Sequence, residues 1–137
     1  MQTTVYAHRV ELDIPYEEAI ERATAALKEQ GFGVLTQIDM KAALKEKIGV
    51  DIDRYMILGA CNPPLAHRAL EAEKEIGILL PCNVIVYEAG GDRSVVAAMA
   101  PKAAMSVVGG NAELDKVAEV ADEKLQRAMN ALEETNR

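Results

Sequence analysis

The chain has 137 residues, half of them apolar and 27% charged, which suits one globular domain over residues 1–137 with a core of its own. Its net charge of −7 excludes a nucleic-acid backbone or an anionic membrane surface as a natural partner, since neither gains from an acidic neighbour. One Phe and no Trp leave no base-stacking platform.

The opening residues MQTTVYAHRVELD have no basic start followed by an apolar core, and no apolar run approaches the ~20 residues of a membrane span. A soluble, cytoplasmic protein is the expectation, with its two cysteines held as reduced thiols.

Residues 4–12 alternate as a strand, with Tyr6, His8, Val10 and Leu12 on one face. His8 reads as a half-exposed strand residue rather than a ligand. Pro15 starts a helix with Glu17 and Glu18 in its first turn and Gly31 at its end. Tyr16, Ala19, Ile20, Ala23, Ala26 and Leu27 form its apolar stripe.

Residues 32–38 read as a second strand, and Asp39 caps a short helix closed by Gly49. Lys41, Lys45 and Lys47 read as its solvated face. Residues 53–61 form a third strand whose Met56, Ile57 and Leu58 are apolar on successive positions, as when both faces are covered. Asn62 is a good N-cap, and Pro63 fits the first helical position behind it. Leu65, Ala69, Ala72 and Ile76 carry that helix to Gly77.

Residues 78–88 form a fourth strand. Pro81 cannot donate to a ladder, so the strand is an edge or bulged there, or starts after it. Gly90-Gly91 turns the chain into a fifth strand over 93–99. A loop over 100–110 follows, and Asn111 caps a last helix striped by Leu114, Val117, Ala118, Ala121, Leu125, Ala128 and Leu132. The order predicts an α+β fold: a two-layer α/β sandwich, one mixed sheet of about five strands with helices mainly on one face.

The stretch GACNPPLAHRALEAEKEIGILLPCN, residues 59–83, holds both cysteines and His67, with a Cys-Asn pair at each end: Cys61-Asn62 and Cys82-Asn83. Polar and reactive groups inside apolar strands have a cost, so the candidate ligand-binding or reactive residues are Cys61, Asn62, His67, Cys82 and Asn83. Three constructions stand open. Cys61, His67 and Cys82 bind a soft metal; or Cys61, at a helix start that favours its thiolate, is a reactive thiol resolved by Cys82; or both thiols are small buried hydrophobes. Were the strands over 53–61 and 78–88 parallel, a rise of about 3.3 Å per residue would offset the two cysteines by about 13 Å, too far for a disulfide or shared metal. A bulge at Pro81 or an antiparallel arrangement would bring them together. No metal-ligand spacing, phosphate loop or catalytic-triad motif names a reaction or a cofactor.

The runs GFGVLTQIDMKAALKEKIGV and YMILGACNPPLAHRALEAEKEIGILLPCNVIVYE resemble the bacterial and archaeal family catalogued as domain of unknown function 302. The likeness covers nearly the whole chain. It implies a compact, dimeric α+β fold and no established reaction. Ala100 stands before Pro101 where relatives often carry an acidic residue. The functional expectation is a small-ligand or partner-binding module centred on the GACNP helix start; the alternative is a thiol-dependent redox or soft-metal-handling protein using Cys61, Cys82 and His67. A homodimer is also expected. Residues 83–87 and 95–99 carry apolar side chains on successive positions, and four helices are too few to cover both faces of the sheet. The competing cover is the loop over 102–110, folded back on that face.

Overall fold

The computed structural model describes residues 1–135. Six strands form one sheet in the order β1-β2-β6-β5-β4-β3, where β1 is Gln2–Thr3, β2 Ala7–Leu12, β3 Gly33–Asp39, β4 Tyr55–Cys61, β5 Cys82–Glu88 and β6 Ser94–Met99. Every pairing is antiparallel, so the expected mixed sheet of about five strands is a six-stranded antiparallel one. The extra strand comes from Gln2–Thr3, which folds back beside β2 with Thr3 opposite His8.

The helices are α1 (Tyr16–Glu29), α2 (Met40–Ile48), α3 (Pro63–Ala72), α4 (Pro101–Met105) and α5 (Ala112–Glu134), with a 3-10 segment over Lys74–Leu79. The start signals act as their chemistry dictates. Asp39, Asn62 and Asn111 each accept a hydrogen bond from the backbone N–H three residues on, and Gly49 ends α2 in the left-handed region at φ 70°. The third helix is shorter than its stripe suggested: α3 stops at Ala72, and the chain continues to Leu79 as a 3-10 turn. Of the three options for Pro81, the structure takes the last, with β5 beginning at Cys82 after a cis Leu80–Pro81 peptide.

The core lies between the sheet and one helical layer. Val10, Leu12, Leu58, Val84, Val86 and Val96 point inward and meet Ala23, Leu27, Leu125 and Met129 of α1 and α5. A second cluster, built from Leu65, Ala69, Ile76, Met105, Leu114 and Val117, joins α3 and α4 to α5. The segment over 100–110, read as a loop and named as the competing cover for the open sheet face, is instead partly helical. α4 packs on α5 with Met105 buried, within the helical layer.

The sheet's other face therefore carries Tyr55, Ile57, Ile85, Tyr87, Ala97 and Met99, all half-buried. Tyr55 and Tyr87, cross-strand partners, stack with ring centroids 5.6 Å apart. At the end of the sheet, Arg54 lies 4.8 Å over the Tyr16 ring, pairs with Glu17, and bonds Glu88 at 3.0 Å. The backbone N–H and guanidinium of Arg54 together hold the Glu88 carboxyl below the usual range.

His8 is not the half-exposed residue the alternation suggested. It points inward opposite Ala98 and is 3% exposed, because α5 packs on β2 and covers it.

Candidate functional site

The antiparallel pairing of β4 with β5 decides the geometry of the central stretch. Ala60 stands opposite Cys82, so Cys61, at the end of its strand, and Cys82, at the start of the next, meet at one edge of the sheet. The 13 Å offset of a parallel pair, an estimate from the strand rise, does not arise because the connection through α3 and the 3-10 segment returns the chain in the opposite direction.

Both thiols line a cavity of about 330 Å³ at that edge. Its floor is Phe32, Ala60 and Pro81; α3 contributes Leu65, Ala66 and Ala69, and α5 contributes Val117 and Ala121. No charged side chain lines it, and Asn62 is its one polar side chain apart from the thiols. The Asn62 amide is already engaged. Its Oδ1 accepts from the Leu65 N–H at 3.4 Å, and its Nδ2 donates to the Gln30 carbonyl at 3.3 Å. It caps α3, ties that helix to the end of α1, and leaves the cavity wall with little to offer a polar ligand.

Gly59 does not line the cavity but shapes the strand beneath it. A Cβ there would lie 2.2 Å from Thr36 Oγ1 and 2.9 Å from Pro81 Cγ, so only glycine lets β3 and the Pro81 ring approach this closely.

The structure thus brings Cys61, Asn62 and Cys82 together and leaves the other two candidates apart. His67 stands exposed on α3, 3.6 Å from Glu71 one turn on, and is not among the cavity residues. Asn83 points to the opposite, open face of the sheet, beside Ile85 and Tyr87. Among the described residues no group of three His, Cys, Asp or Glu side chains is placed to hold a metal ion.

The electrostatics of the thiols run against the expectation from the helix start. Burial pushes Cys61 up, not down, and pushes the deeper Cys82 up to about 11, with the nearby Cys61 adding to the rise. Desolvation in an apolar cavity disfavours both thiolates. Both thiols are free. Cys61, half-buried, is expected to alkylate well before Cys82 when the folded protein meets iodoacetamide near neutral pH. Peptide mass spectrometry reads the order, and simultaneous labelling would contradict it.

A pH dependence follows with a definite sign. Cys82 is protonated in the folded state up to about 11 against 9.0 for an ordinary thiol. Its contribution to stability is complete below the ordinary value and is lost as the pH rises through the folded one. The urea midpoint of the wild type should fall over this alkaline window more steeply than that of Cys82→Ala.

The sequence reading missed one polar cluster. His8 Nε2 lies 2.9 Å from Asp122 Oδ1, and Thr3 Oγ1 lies 3.1 Å from His8 Nδ1. Asp122, 3% exposed, also accepts from Gln126 Nε2 at 2.7 Å and from the Lys102 N–H at 3.3 Å. The signal was present: Asp122 falls on the apolar stripe of α5, four residues after Ala118 and three before Leu125. An acid on a buried stripe requires a partner.

The comparisons with known proteins agree with this architecture. The family model described as "Domain of unknown function DUF302" matches residues 8–132. A crystal structure of an uncharacterized conserved DUF302 protein from Bacillus stearothermophilus superposes with a TM-score of 0.80 at 28% identity, covering 98% of this chain and 100% of that one. No curated protein matches. No helix among the described residues is long and apolar enough to cross a membrane. With the family model spanning all but the two ends, the chain belongs to the DUF302 family.

Proposed function

We propose that this protein is a small-ligand-binding module whose ligand is neutral and largely apolar. The observation that carries this is the cavity of about 330 Å³ between α3, α5 and the edge of the sheet, within the size range of small-molecule sites. Its wall is built from short side chains, Ala60, Ala66, Ala69 and Ala121, which leave room where larger residues would fill the core. With Asn62 engaged in capping, a charged ligand would lose its hydration without compensation there. Such a module fits a reducing, cytoplasmic setting in which both thiols stay free. Thiol-dependent redox chemistry is less favoured, because burial pushes both thiols up and disfavours the reactive thiolates.

The test is titration of the full chain with N-phenyl-1-naphthylamine, a neutral apolar fluorophore. Saturable enhancement in the wild type, reduced at least tenfold in affinity by Ala66→Phe, is the expected result. The absence of saturable binding, or equal binding by a folded Ala66→Phe, would overturn the reading.

The module acts as a homodimer joined through the open sheet face. Support comes from Tyr55, Ile57, Ile85, Tyr87 and Met99, an apolar set half-exposed on that face, while α4 packs on α5 instead of covering it. Sedimentation equilibrium at micromolar concentration should give about twice the 14.8 kDa chain mass, and Tyr87→Arg should return it to the monomer. A monomeric wild type would reject the dimer.

A further inference from the structure

The Thr3, His8 and Asp122 side chains make a chain of hydrogen bonds that lies apart from the cavity and uses both nitrogens of one imidazole. Asp122 is held on all sides. Its Oδ1 takes His8 Nε2 and Gln126 Nε2, and its Oδ2 takes the Lys102 N–H. An ionised carboxylate only accepts, so in the neutral imidazole Nε2 carries the proton and Nδ1 is left with its lone pair. That lone pair faces the Thr3 hydroxyl at 3.1 Å. His8 and Asp122 are each 3% exposed, whereas Thr3 is exposed on the edge strand β1. A hydroxyl at the surface, a base bonded to it, and a buried carboxylate orienting that base reproduce the three roles of an activated nucleophile.

We infer that Thr3 is an acyl acceptor, activated by His8 as general base with Asp122 as the residue that positions the imidazole, and that its substrates are activated esters presented from solvent. Thr3 Oγ1 forms a bond to the carbonyl carbon while its proton passes to His8 Nδ1. Asp122 stabilises the imidazolium so formed. The bond to the leaving oxygen then breaks, and that oxygen takes the proton from Nδ1. Water, deprotonated by the same nitrogen, cleaves the Thr3 ester and restores the hydroxyl. Electrons and protons balance without a redox partner. None of the three side chains lines the apolar cavity.

The experiment is release of p-nitrophenolate from p-nitrophenyl acetate by the full chain, with peptide mass spectrometry to locate acetyl groups. Release above the buffer rate is expected, with acetylation of the peptide that carries Thr3. Thr3→Ala, an exposed substitution that spares the fold, should lower the protein-dependent rate at least tenfold, and Thr3→Ser should retain it. Asp122→Asn, checked for folding by circular dichroism, should lower the rate at least tenfold without shifting the acetylation to other residues. Release equal in wild type and Thr3→Ala, or none above buffer, would overturn the assignment and leave the cluster a structural pin between β1, β2 and α5.

Discussion

Asp122→Ala should destabilise the domain by about 3 kcal/mol, the low end of what removing one partner from a buried, hydrogen-bonded pair costs. The carboxylate and the imidazole it holds join four elements. It meets His8 of β2, the Lys102 N–H at the start of α4, and Gln126 on its own helix, while His8 meets Thr3 of β1. Alanine leaves the imidazole and a backbone N–H without their acceptor at a place that water does not reach, and unmade bonds to buried polar groups cost more than made ones contribute. Among the described residues no buried side-chain N or O lacks a partner, so nothing nearby stands free to substitute. Urea denaturation gives the number. The double variant His8→Leu/Asp122→Leu should lie closer to the wild type than Asp122→Leu alone, because it no longer buries an imidazole without its acceptor, while the Lys102 N–H loses its partner in both. A change below about 0.5 kcal/mol for Asp122→Ala would mean that the pair contributes no more than a surface contact.

Leu125→Ala, three residues along the same helix, should cost a similar amount, about 3 kcal/mol, by a different mechanism. Leu125 is fully buried over the inner face of the sheet, in the cluster that holds Val10, Leu27, Leu58 and Val84. Its truncation removes transfer energy and leaves a void that a β-sheet backed by a long helix cannot close. No second substitution at a distance should rescue it, unlike the polar pair. Ile78→Ala, at an isoleucine 82% exposed, is the control and should stay within about 0.5 kcal/mol of the wild type. The urea midpoints of the two variants, at unchanged slope, separate these expectations; equal midpoints would place the core elsewhere.

The local signals in this chain were legible because they act within a few residues. Asp39, Asn62 and Asn111 cap the helices that follow them, and Gly49 ends the one before it, since each choice depends only on a neighbouring N–H or on a positive φ. The alternation of β2 put His8, Val10 and Leu12 on one face, and that face is the inward one. The exposure of His8 on that face was not legible, because exposure depends on which helix packs on the strand. The same holds for the length of α3: its stripe continues through Ile76, but the backbone changes to a 3-10 turn after Ala72 to bring Pro81 round to β5.

The candidate site divides along the same line. Cys61, Asn62 and Cys82 were identifiable as unusual residues within apolar strands. Whether they met depended on strand direction, which no side chain near them encodes. A strand pair joined through a helix reads alike in sequence whether it returns parallel or antiparallel, and here the antiparallel return sets Ala60 opposite Cys82. The acidity of the thiols followed from that closure, as burial in an apolar cavity pushes both of them up.

By itself the sequence determined the α+β class, the helix starts, the inward stripes and the family, because these rest on period, capping and local composition. Only the tertiary structure decided the all-antiparallel ladder, the cavity at the edge of β4 and β5, and the union of Thr3, His8 and Asp122 across more than a hundred residues. These depend on long-range packing, where the free energy comes from surfaces that meet only after the chain has folded.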